Sequence, residues 1–411
     1  MTPAIRIRMY RPGFGDCFLL TFGSGKKQGQ VLIDFGAHMH GEIGTMDKIM
    51  DDIEKETKKK LDLLIATHAH RDHISGFGKF AARFSKFAIN EVWLPWTDNP
   101  QDPDARTFTR KHLALYNKLE THLRVALGAT EGDPKYALAL EALANLKGNE
   151  VATSELGRGF GTGAAVTYLE AGKSIPKVGS VAGLSAEIEG PSRDQSFLTR
   201  MDPPADQHFL TKSGDTTGGV HPFPKLEIRE GEPDFAAMLK DGQVVLDEKT
   251  LEGLHELAEA PAERLALALD SVRNNTSLVV VFRFRGRTLL FPGDAQWGNW
   301  QSWIGTDAAK QLLGEVDFLK VAHHGSENAT PVDVVRALKT VGLAAMVPTQ
   351  IKPFPTIPRK PLLAELEKHC AGHVAIRSDW IDVQAAPVGP KPKPAFPKGF
   401  TPGEVWIDYK F

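Results

Sequence analysis

Residues 61–78, with the sequence LDLLIATHAHRDHISGFG, are the most informative stretch of this chain. The first seven residues are almost all apolar and predict a buried β-strand. Three histidines and one aspartate then follow within six positions: His68, His70, Asp72 and His73. On a turn that leads from a strand into a helix these side chains can converge, and imidazole and carboxylate groups are common metal ligands. The spacing suits two adjacent metal ions, and a solvated polar loop is the simpler alternative.

Two later segments place similar residues at predicted strand ends. The sequence FPGDA, residues 291–295, puts Asp294 just after an apolar strand, and KVAHHGS, residues 320–326, puts His323 and His324 after another. Taken alone, a Gly-Asp pair is a routine turn and a His-His pair is ordinary polar surface. Together with the first segment they supply five histidines and two aspartates at strand ends, where loops commonly carry function. The joint pattern predicts a transition-metal site.

The order of these motifs and their amino-acid sequences resemble those of the metallo-β-lactamase superfamily. Within it they are most similar to the nuclease-like domain of the ComEC-type competence proteins and its free-standing relatives. The HAHRDH segment matches the His-x-His-x-Asp-His signature at every position, and the resemblance covers both ends of the chain. The other matching segments are GFGDCF (13–18), LIDFG (32–36), NTSLV (275–279), GDA (293–295), HHGS (323–326) and RSD (377–379).

This resemblance implies an α/β fold, the αββα metallo-β-lactamase sandwich, with a metal cleft between its two sheets. Residues 1–97 and 270–411 would form the two halves of that fold. Residues 98–269 match no family that can be named. The spacing of their apolar residues predicts a large, mostly helical insertion. A core strand is expected within it near residues 186–188.

The resemblance also implies roles for the motif residues as metal ligands. His68 and His70 would bind the first metal ion. Asp72 and His73 would bind the second ion, and Asp294 would bridge the two.

Further roles follow for the two adjacent histidines and for one aspartate. One of His323 and His324 would complete the second metal site, and His324 is the favoured ligand. His323 would then touch the substrate or its leaving group. Asp34 would orient a ligand imidazole. Asp72, His323 or a metal-bound water would shuttle a proton to the leaving group.

The implied cofactor is a pair of divalent metal ions, with zinc expected first and manganese as the alternative. Two such ions lower the pKa of a bridging water and polarise the scissile group, so hydrolysis by a metal-activated hydroxide is the expected chemistry. Many superfamily members carry a further histidine ligand where this chain has none, at residues 188–192. His208 or His221 could replace it; otherwise the first site would hold its ion more loosely or use an extra water.

The expected substrate is a phosphodiester, nucleic acid above all, because of the subgroup that the motifs resemble. Two groups of lysines could contact phosphates, although solvated surface is the simpler interpretation. Three tryptophans at helical spacing after Asp294 could stack on bases, although packing against the core is the simpler interpretation. These lysines are Lys55, Lys58, Lys59 and Lys60, and separately Lys391, Lys393 and Lys398; the tryptophans are Trp297, Trp300 and Trp303.

Two other reactions remain open on the same ligands. The same metal chemistry would hydrolyse a small ester, lactone or amide. Diiron oxidoreductases of the superfamily typically carry glutamate where this chain has His70, which favours hydrolysis. A mononuclear iron dioxygenase is the less favoured alternative.

The composition of the chain is that of an ordinary globular protein. Its 411 residues include 49 Lys+Arg and 51 Asp+Glu, a formal net charge of −2, and 42% are hydrophobic. These values exclude a disordered, collagen-like or coiled-coil chain, and they argue against a general polyanion binder. We expect a cytoplasmic protein with no membrane partner, because no signal-peptide core and no apolar run near the roughly 20 residues of a bilayer span is present. Cys17 and Cys370 are predicted to be buried.

Overall fold

The structure is a computed structural model that shows two β-sheets packed face to face, with helices on their outer faces. The αββα arrangement expected from the motifs is therefore confirmed. Within the part of the chain that the structure describes, no helix has both the length and the apolar character needed to cross a membrane. The residues described are 5–25, 28–38, 45–129, 140, 143–146, 148–200, 203–209, 272–326, 328–350, 357–370, 376–378 and 399–411.

The first sheet has eight strands in the order β14-β15-β1-β2-β3-β4-β5-β6. Its strands β3 to β6 run parallel to one another, and the others pair antiparallel. The strands are β1 Ile5–Tyr10, β2 Cys17–Phe22, β3 Gly29–Phe35, β4 Lys60–Ile65, β5 Ala88–Pro95, β6 Ala165–Leu169, β14 Phe400–Pro402 and β15 Trp406–Lys410.

The second sheet has seven strands in the order β13-β12-β11-β10-β9-β8-β7. Strands β10 to β13 are parallel, and β7 to β10 pair antiparallel. The strands are β7 Lys173–Ile175, β8 Leu184–Gly190, β9 Val279–Phe284, β10 Arg287–Phe291, β11 Val316–Lys320, β12 Ala344–Val347 and β13 Ile376–Arg377.

Helices cover the outer face of each sheet. Helices α1, α2, α3 and α5 pack on the first sheet, and α6 to α9 pack on the second, each through a separate apolar cluster. The helices are α1 Met46–Thr57, α2 Arg71–Lys79, α3 Ala81–Phe84, α4 Pro103–Ala129, α5 Glu150–Gly157, α6 Trp297–Gln301, α7 Asp307–Glu315, α8 Val332–Ala337 and α9 Lys360–Cys370.

The core between the sheets is built from the inward-facing residues of the strands. Ile7 and Ile33 of the first sheet share one cluster with Phe282 and Phe318 of the second, and all four are at most 2% exposed. Burial of such side chains contributes about 1.5–3 kcal/mol each. This shared core packs the two sheets face to face, and the strand ends of both meet at a common edge.

Parallel pairing places the motif residues of both sheets at that edge. Strands β3 and β4 run parallel, so Asp34 near the end of β3 lies beside the residues that follow β4. Strands β10 and β11 are also parallel, and the Asp294 and His324 turns follow them. The backbone N–H of Leu278 donates to the carbonyl of Thr67 at 2.9 Å, which ties the two edges together.

Two predictions need correction or extension. The polar, helically spaced sequence of residues 46–60 predicts one helix that ends in three lysines. The helix α1 instead ends at Thr57, because Lys58 and Lys59 adopt positive φ values of 51° and 57°, and Lys60 already belongs to β4. The strand expected near residues 186–188 is found in β8.

The predicted insertion, residues 98–269, contains helices α4 and α5 and supplies three strands, β6, β7 and β8, to the two sheets. The division of the chain at residues 97 and 269 stays a prediction. Cys17 and Cys370 are buried and free, as predicted.

Candidate metal centre

The HAHRDH segment forms the turn between β4 and α2. His68 and His70 lie in the extended turn, and α2 begins at Arg71, so Asp72 and His73 occupy its first helical turn. All four motif residues are at most 2% exposed. A solvated polar loop is therefore ruled out, and the polar groups must find partners inside the protein.

Two glycines allow this turn to pack against the rest of the first sheet. A Cβ atom on Gly36 would lie 2.4 Å from the backbone N of His73, and one on Gly15 would lie 2.7 Å from the carbonyl oxygen of Asp72. The N–H of Asp16 donates to that same Asp72 carbonyl at 2.9 Å. Any side chain at either glycine would push the start of α2 away from the cleft.

Four side chains from both sheets converge in what we call the carboxylate side: Asp72, His73, Asp294 and His324. His73 Nε2 lies 2.9 Å from Asp294 Oδ2, and His324 Nε2 lies 3.3 Å from the same oxygen. His324 Nε2 is also 3.0 Å from Asp72 Oδ2. Residues separated by more than 200 positions in sequence are thus brought into direct contact.

The outer nitrogen of each of these two imidazoles is held by the protein. His73 Nδ1 lies 2.8 Å from Asp34 Oδ2, and His324 Nδ1 donates to the carbonyl of Pro348 at 2.7 Å. Asp34 is itself fixed by Thr67, whose N–H and Oγ1 donate to its two oxygens, each at 2.8 Å. With Nδ1 as donor, the Nε2 lone pairs face carboxylate oxygens, an arrangement that requires a proton or a cation between them.

His68 and His70 form the neighbouring group, which we call the histidine side. His68 Nε2 lies 3.0 Å from His70 Nδ1, and the two rings meet edge to face. His68 Nδ1 lies 3.2 Å from the hydroxyl oxygens of both Thr67 and Ser277. The ring of His68 also packs against that of His73, with centroids 4.2 Å apart, so the two sides adjoin.

The pKa values divide the histidines into two classes. Burial lowers the pKa of both His68 and His70, to about 3 for His70, so these imidazoles are neutral at pH 7. Burial would also lower the pKa of His324, but Asp294 and Asp72 outweigh it and raise the value to about 10. The pKa of His73 is raised well above its usual value for the same reason. The carboxylate side therefore attracts positive charge.

Asp16 and Lys320 belong to the site although the sequence did not single them out for it. Lys320 Nζ lies 2.6 Å from Asp16 Oδ2, 2.8 Å from Asp294 Oδ1 and 2.6 Å from the carbonyl of Gly293, and the lysine is 1% exposed. Burial would lower the pKa of this ammonium, but Asp16 and Asp294 raise it, so it stays charged. The position of Lys320 inside the apolar strand β11 could have predicted a buried ion pair, because a buried lysine needs an anionic partner.

The turn that carries His323 and His324 has an unusual backbone. Both histidines have positive φ, 44° and 55°, and Gly325 follows at 80°. Such conformations cost roughly 1–2 kcal/mol for a residue with a side chain and concentrate at functional sites. Their effect here is to turn the ring of His324 into the carboxylate side, while the N–H of His323 donates to Asp294 Oδ1 at 3.1 Å.

The ring of His323 lies beside the carboxylate side in a separate polar network. Its Nε2 is 3.3 Å from Asn274 Nδ2, and its Nδ1 is 2.8 Å from Ser326 Oγ, which donates to Asn328 Oδ1 at 2.9 Å. Burial, the largest influence, lowers the pKa of His323 to about 4. Of the two adjacent histidines, only His324 has its ring nitrogen at the carboxylates.

The remaining candidates lie elsewhere. His208 Nε2 donates to the carbonyl of Pro203 at 2.9 Å, and His221 lies outside the described residues. Trp300 and Trp303 are 0% and 8% exposed and pack in the cluster beneath the second sheet, so the simpler interpretation is confirmed for these two. Lys55, Lys58 and Lys60 are exposed and Lys59 is half-buried, whereas Lys391, Lys393 and Lys398 also lie outside the described residues.

Residues 10–151 match the family model described as the metallo-beta-lactamase superfamily. This match covers the HAHRDH turn and the Asp16 and Asp34 segments, and the two packed sheets with outer helices are consistent with the fold of that superfamily. No curated protein matches the chain. The superfamily consists mostly of metal-dependent hydrolases, so the match and the site agree in chemistry.

The donor atoms fit a divalent metal ion. Atoms of Asp16, His73, Asp294 and His324 lie within 4.8 Å of one another, all on buried residues. Asp16 sits behind the rings, with Oδ1 3.6 Å from His324 Nδ1, whereas Asp72 faces Nε2, so we regard Asp72 as the fourth metal-facing group. Separations near 3 Å between ligand atoms are about those expected for metal bonds of roughly 2.1 Å.

Proposed function

We propose that this protein is a metal-dependent hydrolase that cleaves phosphodiester bonds, with nucleic acid as the first candidate substrate. The observation that supports this proposal best is that Nε2 of His73 and of His324 each face carboxylate oxygens of Asp72 or Asp294 across the cleft. Both imidazoles are oriented from behind, which is how proteins prepare histidine for a metal. Asp16, Asp34, Asp72 and Asp294 are also buried together, which favours binding of positive charge, whether protons or metal ions, at this position.

The carboxylate side would hold one divalent ion and the histidine side a second. We expect zinc first and manganese second, because imidazole and carboxylate suit both. When bound, two such ions supply an acidified water and an electrophile for the scissile group. The histidine side offers two neutral imidazoles, whereas the carboxylate side also offers anionic ligands, so the ion on the histidine side would be held more weakly.

The chain's own residues orient these groups and move protons. Asp34 holds the ring of His73 through Nδ1, and Lys320 holds Asp294 through Oδ1, which leaves Asp294 Oδ2 facing the cleft. His323, with a pKa of about 4, is neutral near pH 7. We therefore propose that its ring accepts a proton during the reaction and delivers it to the leaving group.

The preference for a phosphodiester rests on the likeness of the motifs to the ComEC-type nuclease domains. One half-buried cation adds support. Arg273 Nη1 lies 3.2 Å from Asp98 Oδ1, and Asp98 lines the same cavity as His68. We infer that Arg273 could pair there with a phosphate oxygen of a substrate.

The test is elemental analysis of the purified protein combined with a substrate panel. The panel contains single- and double-stranded DNA and RNA, a chromogenic phosphodiester, and simple esters and lactones. We expect zinc or manganese to copurify, and metal-dependent phosphodiester cleavage whose binding step weakens steeply with salt for nucleic acid. Hydrolysis of esters or lactones without phosphodiester cleavage would support the alternative substrate class. A protein that binds no divalent metal would refute the proposal.

We retain a small ester, lactone or amide as the second candidate substrate. The formal net charge of the protein is −2, and this value does not indicate a general polyanion-binding surface. The iron dioxygenase alternative predicts iron in the same elemental analysis and oxygen uptake with a thiol or other reductant. Cytoplasmic localisation remains part of the proposal.

A further inference from the structure

Two asparagines from the segment between α4 and α5 hold the HAHRDH turn from its outer side. Asn145 and Asn149 are 8% and 5% exposed. The carbonyl of Asn145 accepts the N–H of Arg71 at 2.9 Å, and Asn149 Nδ2 donates to the carbonyl of Ala69 at 2.9 Å and to that of Asn145 at 3.1 Å. Both residues therefore support the turn, but they do so through different groups.

Only Asn145 of this pair contacts a side chain of the metal centre. Its Nδ2 donates to Asp72 Oδ1 at 3.0 Å, and its Oδ1 accepts the backbone N–H of Asp72 at 3.2 Å. The two hydrogen bonds form a closed pair that fixes the side-chain torsions of Asp72. The other oxygen, Asp72 Oδ2, is thereby turned toward His324 Nε2, 3.0 Å away.

On the opposite side of the cleft, the two carboxylate oxygens of Asp294 also have separate partners. Lys320 and the N–H of His323 occupy Asp294 Oδ1, and Oδ2 faces His73. The two carboxylates of the site therefore each present one oxygen to the cleft. A neutral amide does this for Asp72, whereas a buried ammonium does it for Asp294.

We propose that Asn145 is a positioning residue that makes Asp72 a one-oxygen ligand of the metal ion on the carboxylate side. The inference rests on the proposed function, because it needs a metal to be bound there. Partners that hold a ligand from behind typically change metal affinity by 10–100-fold when they are removed. Without the amide, Asp72 could rotate and offer both oxygens, or turn away from the ion.

The experiment compares Asn145→Ala with the matched control Asn149→Ala. Both variants remove a buried asparagine that supports the same turn, but only the first frees the carboxylate of Asp72. Zinc affinity of the metal-free proteins is measured by competition with a chromogenic chelator, and thermal unfolding is followed in parallel. We expect Asn145→Ala to weaken the tighter zinc step by about 10-fold or more, and Asn149→Ala to change it by less than about 3-fold at a similar loss of thermal stability.

Substitution with cobalt(II) gives a visible absorption spectrum that would not change if the role of Asn145 were purely structural. The visible absorption of cobalt(II) is intense when the ion is four-coordinate and weakens as ligands are added. We expect Asn145→Ala to change the band shape and intensity, and Asn149→Ala to retain the wild-type spectrum. Asn145→Ser serves if the alanine variant does not fold, because its short hydroxyl cannot hold both Asp72 groups at once.

The outcomes separate this inference from the proposed function. If the wild-type protein takes up no zinc or cobalt, both the proposed function and the inference are wrong. If the wild type binds metal and Asn145→Ala keeps its affinity and spectrum, only the role of Asn145 is refuted. Equal losses in the Asn145 and Asn149 variants would also refute it, since support of the turn would then explain both.

Discussion

The histidine side and the carboxylate side adjoin in one cleft, yet they differ in charge. On the histidine side, burial keeps the imidazoles of His68 and His70 neutral, and their nearest nitrogens are 3.0 Å apart. On the carboxylate side, the acids raise the pKa of His73 and His324, to about 10 for His324. In the absence of metal, protons on this side supply the positive charge that its carboxylates require.

The difference in histidine protonation shows that two adjacent metal positions in one cleft can have different electrostatic environments. The carboxylate side provides charge and must release protons before it binds a metal ion. The histidine side provides neutral nitrogen donors that are already deprotonated. We therefore expect two binding steps with different affinities and a different dependence on pH.

The largest effect is expected from Asp294→Ala, because Asp294 contacts both imidazoles of the carboxylate side and anchors Lys320. Loss of its oxygens should weaken binding of both ions and lower the hydrolytic rate by roughly 10³-fold or more, since metal charge stabilises the transition state by several kcal/mol. Metal content by elemental analysis and steady-state kinetics measure the two effects.

The matched control for this substitution is Asp317→Asn. Asp317 is also a buried aspartate, on β11, and it bonds Arg287 and the N–H of Thr288 away from the cleft. We expect this variant to lose about 1–3 kcal/mol of stability with its metal content unchanged. An Asp294→Ala protein that retained both ions would remove the basis for the comparison between the two sides.

An intermediate effect concerns proton release on metal binding. His324, with a pKa of about 10, and His73, whose pKa is raised well above its usual value, both carry protons at pH 7. Binding on the carboxylate side must expel these protons, so apparent affinity should rise toward pH 9 by about tenfold per pH unit for each proton released. His70, with a pKa of about 3, has no proton to lose, so the other step should be nearly independent of pH. Calorimetry in buffers of different ionisation enthalpy counts the protons released.

Single substitutions assign these two steps. His324→Ala should remove about half of the proton release and weaken the pH-dependent step, whereas His70→Ala should remove the pH-independent step and preserve proton release. The opposite assignment, or equal proton release in both steps, would show that the charge difference does not control binding.

The smallest effect is expected from Ser277→Ala. The Ser277 hydroxyl lies 3.2 Å from His68 Nδ1 and accepts the N–H of Asp294 at 3.0 Å, so it links the two sides. Its loss removes about 1 kcal/mol of hydrogen bonding, which should weaken the second zinc step by roughly fivefold. Ser302→Ala, which removes a hydroxyl bonded to the carbonyl of Asn299, is the control and should leave both zinc steps unchanged. A loss confined to the first step would contradict the assignment of Ser277 to the histidine side.

Much of the fold was predictable from local pattern. Apolar runs ended in polar turns at residues 68–73, 294 and 323–324, and the strands lie where these runs are. Errors arose where a backbone conformation overrides the pattern, as at Lys58 and Lys59, whose positive φ values end α1 before the lysine run is complete. The strand content of residues 165–190 was underestimated because short edge strands with alternating polar residues give a weak signal.

The candidate site was predictable only in its most local part. The motif residues come together in the cleft, but their roles as ligands stay predictions. Lys320 and Asp16 were visible as a charge in an apolar strand and a polar residue in a glycine turn, but their pairing was not. Nothing in the residues around Asn145 indicates its contact with Asp72, since the two are 73 positions apart.

The sequence by itself determined which donor groups stand at the ends of which strands, because apolar periodicity and turn residues act over a few neighbouring positions. Only the tertiary structure decided which oxygen of each carboxylate faces the cleft and which imidazoles carry protons. Orientation and pKa depend on groups that approach within about 3–4 Å from distant parts of the chain. In this protein those groups are Asn145, Lys320 and Asp34, and packing of the two sheets brings them to the metal-facing residues.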